Sequence, residues 1–267
     1  MSRPIVFCSD YGLQDEFVGV CHGVIARIAA EATVIDLAHG LTRHDVAEGA
    51  ALLARSAPHM PEDSVYLAVV DPGVGSERRP VAVDSSSGAS LVGPDNGLLI
   101  PALDALGGAT RTVEIADPRY LLAPVSRTFH GRDVFAPAAA HLAIGVSLEE
   151  LGPTVDPSTL ERLDLPSPQF RGGGLQAAVL GVDRFGNVQL NVRQRHLQSA
   201  GLSDSTTLHL KTPRDDRTVK LAHTFSDVPE GEMAALIDSS GFLALIVNRG
   251  SAADVLGLGA GDELVIH

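Results

Sequence analysis

The chain has no tryptophan and only two cysteines, Cys8 and Cys21, in 267 residues. Two thiols make no disulfide framework, and no Cys-x-x-Cys occurs, so both are expected as small buried apolar groups. With no tryptophan, the core has to rest on Val, Leu, Ile and Ala. Basic residues are scarce: 20 Lys and Arg against 33 Asp and Glu leave a net charge of −13. That balance argues against nucleic acid, which is held by clustered cations. No apolar run approaches the ~18 residues of a membrane span. Met-Ser-Arg-Pro leads straight into a strand pattern, without the apolar segment of a signal peptide. A cytoplasmic protein with no membrane partner is the expectation. Chemical signatures are missing as well. Without G-x-G-x-x-G or a Walker loop, phosphate binding has no support. Without H-x-x-H or H-E-x-x-H, no metal site is expected. Without G-x-S-x-G, nothing favours Ser-His-Asp catalysis.

What is present is an alternation of buried strands and helices over the first 150 residues or so. Strands are expected at Pro4–Ser9, Ala32–Leu37, Val65–Val70, Pro80–Val83, Ser90–Val92 and Thr112–Ile115. Helices are expected at Asp15–Ala30, His44–Ala54, Leu98–Leu106 and Asp133–Ile144, and Ser85 to Gly88 reads as a hairpin turn. Such alternation means an α/β fold, with a Rossmann-like, doubly wound and mostly parallel sheet. A Pro- and Gly-rich stretch follows, with Pro153, Pro157, Pro166, Pro168 and Gly172 to Gly174, and reads as a linker over residues 153–173. Beyond it lie short strands with turns: Leu175–Val182, Asn187–Val192, Thr206–Leu210, Arg217–Leu221, Met233–Ile237, Leu243–Val247 and Glu263–Ile266. These suggest a small C-terminal β-barrel or sandwich. The organisation expected is an α/β domain at 1–152 and a β domain at 174–267.

The chemistry concentrates at strand ends. The run Val69 to Pro80 (V-V-D-P-G-V-G-S-E-R-R-P) closes an apolar strand with Asp71, turns, and then places Arg78 and Arg79. Ligands of doubly wound sheets bind beyond the carboxyl ends of the strands. The same letters also describe a β-turn with a surface salt bridge. Asp10 ends the first strand, where a carboxylate either accepts from ribose hydroxyls or caps the following helix. His130, in T-F-H-G-R-D just before a helix, is the histidine best placed for proton transfer. In Asp183-Arg184-Phe185-Gly186-Asn187, one reading is a turn with Gly186 at positive φ, and the other is an Asn amide that reads a base edge.

Taken together, S-D-Y-G (9–12), V-D-P-G-V-G-S-E-R (70–78), G-P-D-N-G-L-L (93–99), F-H-G-R-D (129–133), D-R-F-G-N-V (183–188) and S-S-G-F-L (239–243) resemble the S-adenosylmethionine hydrolase family. Its members are also called S-adenosylmethionine hydroxide adenosyltransferases, and they are relatives of fluorinase and chlorinase. The resemblance implies hydrolysis of S-adenosyl-L-methionine (SAM) to adenosine and methionine, with SAM as substrate and no cofactor. It also implies a homotrimer whose active sites lie between subunits. The catalytic set it implies is Asp71, Arg78 and His130. The halogenases carry Tyr where Asp71 stands, and fluorinase has a serine at the position of Gly131. The substrate contacts it implies are Asp10 to the ribose, Asn187 and Phe225 to the adenine, and Asp15, Asp183 and Ser239 to the methionine end. Where the halogenases have Arg after that serine, this chain has Ser240, so the partner of the methionine carboxylate is left unassigned. Asp71 and His130 both stand as candidates for the proton acceptor. The alternatives are a halogenase and a non-catalytic adenosine- or SAM-binding protein.

Overall fold

In the computed structural model, which describes residues 2–164, 167–171, 173–203, 205–212 and 214–267, the first strand β1 (Ile5–Ser9) is buried from end to end. Its side chains alternate between two apolar layers, Ile5 and Phe7 on one face and Val6 and Cys8 on the other, as the two-residue period of a strand dictates. β1 pairs in parallel with β2 (Val34–Ala38) and with β3 (Val65–Val69). Beyond β3, strands β4 (Pro80–Ser85), β5 (Ser90–Pro94) and β6 (Ala109–Glu114) complete the sheet in the order β2-β1-β3-β5-β4-β6. β3 and β5 are parallel, while β4 runs antiparallel to both β5 and β6. The expected sheet is therefore present. Its antiparallel edge follows from the hairpin at Ser85 to Gly88, where the Gly88 N–H donates to the Ser85 carbonyl.

Helices α1 (Phe17–Ile28) and α4 (Ala136–Ala143) cover one face, and α2 (Val46–Ser56) and α3 (Ile100–Ala105) the other. Cys21 lies in the first layer and Cys8 in the second. Both are free, and burial pushes each thiol up to about 12, so they act as the small apolar groups expected. All four helix starts differ from expectation: α2 and α3 each begin two residues late, at Val46 and Ile100. α1 begins at Phe17, leaving Asp15 in the preceding loop. The helix expected from Asp133 opens instead as a π-turn, Gly131–Phe135, before α4. Pro137 has no N–H to give the Asp133 carbonyl, and that carbonyl accepts from Leu122 N at 2.8 Å instead.

The chain divides into two compact units, Met1–Asp164 and Leu165–His267. The proline-rich stretch up to residue 164 folds on the first unit. Glu114 N donates to the Pro153 carbonyl and Val155 N to the Thr112 carbonyl, each at 2.9 Å, and Arg79 donates to the Thr159 carbonyl at 2.7 Å. Proline pre-sets the extended backbone that can lie along the β6 edge. Pro166 and Gly172 of the expected linker lie outside the described residues.

In the second unit, β7 (Gln169–Arg171), β8 (Gly174–Val182), β9 (Val188–Arg193), β10 (Thr207–Lys211), β11 (Asp216–Ala222), β12 (Met233–Ile237), β13 (Phe242–Val247) and β14 (Glu263–Ile266) form one sheet, and β14 returns to pair with β8. Seven strands thus close a barrel around Val179, Leu190, Leu208 and Leu245. Closure removes the unpaired edges that an open sheet of short strands would expose. Among the described residues, no helix is long and apolar enough to cross a membrane.

Candidate active site

Two carboxylates leave the first sheet side by side. β1 and β3 are in parallel register, with Ser9 opposite Val69, so Asp10 follows one strand end and Asp71 lies just beyond the other. Since β2 and β3 flank β1 on opposite sides, this is a point where the strand order reverses, the position at which such sheets open a crevice.

Asp71 and Arg78 form the centre of the arrangement. Arg78 Nε donates to Asp71 Oδ1 at 2.8 Å, and Nη2 donates to Oδ2. The side chains are only 9% and 6% exposed, so the seven-residue spacing makes a buried bidentate pair and not a surface salt bridge. Nη2 also donates to His130 Nδ1 at 2.9 Å, and the guanidinium lies over the Phe135 ring at 5.0 Å. Nη1 is buried and makes no hydrogen bond among the described residues. The other nitrogens of the cation are held, and among the described residues Nη1 is the one without a partner. A buried donor in that condition needs a partner, such as a water or a ligand. Arg79 serves a different end. It donates to Asp95 Oδ2 at 2.9 and 2.5 Å and to Thr159, tying down the proline-rich stretch.

Because an arginine cannot accept, His130 must accept at Nδ1, and its proton is therefore on Nε2. Burial first, and the neighbouring Arg78 second, hold this imidazole below its ordinary value of 6.5, so it is neutral at physiological pH. A prediction follows. Activity is flat from pH 8 to about 6.5 and falls only at lower pH, where a proton on Nδ1 would break the bond to Arg78 and oppose two cations. For stability, the unfolded chain takes up this proton at the ordinary value and the folded chain only at a lower one. The residue therefore destabilises the fold increasingly below about pH 6.5 and has no effect above it. Comparing pH–rate and melting profiles of wild type and His130→Gln measures both; a profile that rises as pH falls through 6 contradicts this state.

Tyr11 lies beside this group. It stacks edge-on against Phe129 at 5.8 Å and tilts against Phe17 at 5.7 Å. Burial, then Cys21, Asp71 and Asp10, push its phenol well above the ordinary range. It meets Gly131 so closely that a Cβ there would lie 2.0 Å from Tyr11 Oη. The glycine after His130 is thus required by contact with residue 11.

Asp10 is not the helix cap; Glu16 stands at the start of α1. Asp10 Oδ2 accepts from the backbone N–H of His44 at 2.9 Å. Behind it, buried Ser9 Oγ meets buried His39 Nδ1 at 2.8 Å, and His39 Nε2 meets the exposed Asp36 at 3.1 Å, a brace for the strand end. Asp15 is exposed in the loop before α1. In the second unit, Asp183 and Asn187 share a turn closed by Gly186 at φ +81°, as one of the two readings expected. Asp183 Oδ1 accepts from Phe185 N and Asn187 N at 2.8 and 2.9 Å, and its Oδ2 accepts from Asn187 Nδ2 at 2.7 Å. Asp183 therefore fixes the orientation of the Asn187 amide. Phe225 opens a short 3₁₀ turn and is 46% exposed. Ser239 is exposed in the turn between β12 and β13. Among the described residues, no group of three or more His, Cys, Asp or Glu side chains is arranged to hold a metal.

Residues 5–152 match the SAM hydroxide adenosyltransferase N-terminal domain and residues 177–265 the corresponding C-terminal domain. The chain belongs to the SAM hydroxide adenosyltransferase family. Similar members of the wider group include an (R)-S-adenosyl-L-methionine hydrolase from Salinispora tropica, 48% identical over 97% of this chain and 96% of its own. A fluorinase from Actinopolyspora mzabensis is more distant, 31% identical over 94% of this chain and 93% of its own. Among solved structures, an uncharacterized conserved protein from Thermotoga maritima aligns with a TM-score of 0.92 and 34% identity over 98% of this chain and 99% of its own.

Proposed function

We propose that the protein hydrolyses S-adenosyl-L-methionine to adenosine and L-methionine by attack of water on C5′. The observation that carries this is the Arg78 guanidinium, fixed by Asp71, His130 and Phe135 with Nη1 left as a buried donor. The sulfonium is already activated, and its leaving group departs as a neutral thioether. The difficulty lies with water, whose pKa of roughly 15.7 makes it a poor nucleophile. Nη1 holds one water by its oxygen and stabilises the hydroxide character that grows as the C–O bond forms and the C5′–S bond breaks. Placement in line with that bond supplies the remainder.

The departing proton has two candidate acceptors, and the arrangement favours Asp71. The single Nδ1 lone pair of His130 is occupied by Arg78, whereas each carboxylate oxygen keeps a second lone pair. His130 is then a positioning residue for the cation. Asp10 contacts the ribose, Asn187 and Phe225 the adenine, and Asp15, Asp183 and Ser239 the methionine end, Asp183 acting partly through Asn187. The second-unit residues serve the site of a neighbouring subunit in a homotrimer, as the family resemblance implies, and SAM is a substrate with no cofactor beside it.

Product analysis tests the reading. Incubation with SAM, with and without chloride, and with each sulfur epimer separately, is expected to give adenosine and methionine in equal amounts. The name of the Salinispora relative specifies the (R) epimer. A chlorinated nucleoside, or tight binding without turnover, overturns the hydrolytic reading.

A further inference from the structure

One cation of the second unit is held beside the Ser239 turn. Arg193, the last residue of β9, stacks its guanidinium on the Phe242 ring with Cζ 3.7 Å from the centroid, and Phe242 is its register partner on β13. Its Nη1 lies 3.4 Å from the Ser240 carbonyl and 3.4 Å from where a Gly241 Cβ would stand. Among the described residues Arg193 forms no ion pair. The carboxylate that acts on it, Asp238, is hydrogen-bonded elsewhere: Oδ1 accepts from Ser240 N and Phe242 N at 2.8 and 3.0 Å, and Oδ2 from Gln189 Nε2 at 2.5 Å. These bonds fix the turn, to which Arg193 is tied only through the Ser240 carbonyl. Arg184, another cation near an assigned contact, is only loosely placed, 5.9 Å from an exposed Phe185 ring.

A fixed, half-buried guanidinium without an acid is suited to receive a carboxylate from outside the chain, in the two-pronged geometry that arginine provides. Stacking on Phe242 removes the rotamer freedom that binding would otherwise have to freeze. We infer that Arg193 binds the carboxylate of the methionine end of the substrate, next to Ser239. The inference rests on the proposed SAM hydrolysis for the identity of that carboxylate. It gives the site a way to prefer an α-amino acid sulfonium over one lacking the carboxylate, even with Ser240 in the turn.

The test compares SAM with its decarboxylated analogue, the same sulfonium bearing an aminopropyl group. Wild type is expected to favour SAM in kcat/KM by about tenfold to a hundredfold, the usual effect of a hydrogen bond to a charged group. In Arg193→Gln that preference disappears, kcat/KM for the analogue is unchanged, and the melting temperature is kept. An equal loss on both compounds assigns Arg193 a structural role and overturns the inference, as does a preference that survives the substitution. Equilibrium binding of the two compounds reads the same contact without turnover. A protein that binds SAM in preference to the analogue but converts neither overturns only the hydrolytic reading, whereas binding without preference overturns the assignment of Arg193.

Discussion

Arg78→Ala lowers kcat about a hundredfold to a thousandfold and leaves KM within about threefold, the pattern for a donor that acts mainly in the transition state. The substitution removes the buried Nη1 and releases Asp71 and His130, which Arg78 holds together. It also leaves a carboxylate that is only 6% exposed without a counter-ion. Breaking a buried pair in this way costs about 3–5 kcal/mol, so melting temperature has to be measured with the kinetics. Arg78→Lys separates the two effects. It restores a positive charge near Asp71, but an ammonium cannot reproduce the fork that reaches two carboxylate oxygens and an imidazole while still facing inward. Stability is expected to recover substantially in the lysine variant, and kcat is not. Equal kcat in wild type and both variants contradicts the role of the guanidinium.

Gly131→Ser removes nearly all activity, about a hundredfold or more, because a Cβ at this position would lie 2.0 Å from Tyr11 Oη and 3.0 Å from its Cζ. Tyr11 has little room to retreat, being wedged against Phe17 and Phe129. The backbone at 130–131 must move instead, taking His130 Nδ1 away from Arg78, and a shift of about 1 Å at a reacting group costs on the order of a hundredfold. Overpacking of this kind also destabilises by about 1–3 kcal/mol. Tyr11→Phe in the same chain removes the closest contact but keeps ring carbons at 3.0 and 3.2 Å, so it restores part of the activity. The double variant is therefore more active than Gly131→Ser alone. Full activity of Gly131→Ser with Tyr11 intact contradicts the packing account. The comparison also gives a steric reason why a serine at position 131 is incompatible with this tyrosine.

The strand ends that present Asp10 and Asp71 were legible because buried apolar runs stop abruptly at a carboxylate, and parallel register then brings them together. The barrel strands were legible from their spacing, although its closure by β14 against β8 is a pairing of distant segments that no local pattern carries. The pairing of Arg78 with Asp71 was one of two readings. What decides between them is burial, which depends on Phe135 and His130, more than fifty residues further along the chain. The π-turn at Gly131–Phe135 was missed although Pro137 signals it, since a proline there deprives the Asp133 carbonyl of its helical donor. Tyr11 stood inside a recognised motif without a role, because its contact with Gly131 exists only in three dimensions. Arg193 followed a strand pattern as one more charged residue, and only the ring beneath it and the committed state of Asp238 set it apart.

The sulfonium of SAM offers three carbons to a nucleophile, and the central claim is that solvent water attacks one of them, C5′. Turnover in ¹⁸O-enriched water with mass analysis of every product tests it directly. One ¹⁸O atom is expected in the 5′-hydroxyl of adenosine and none in methionine. Adenosine free of the label, or label in methanol or homoserine from attack at another carbon, would contradict it.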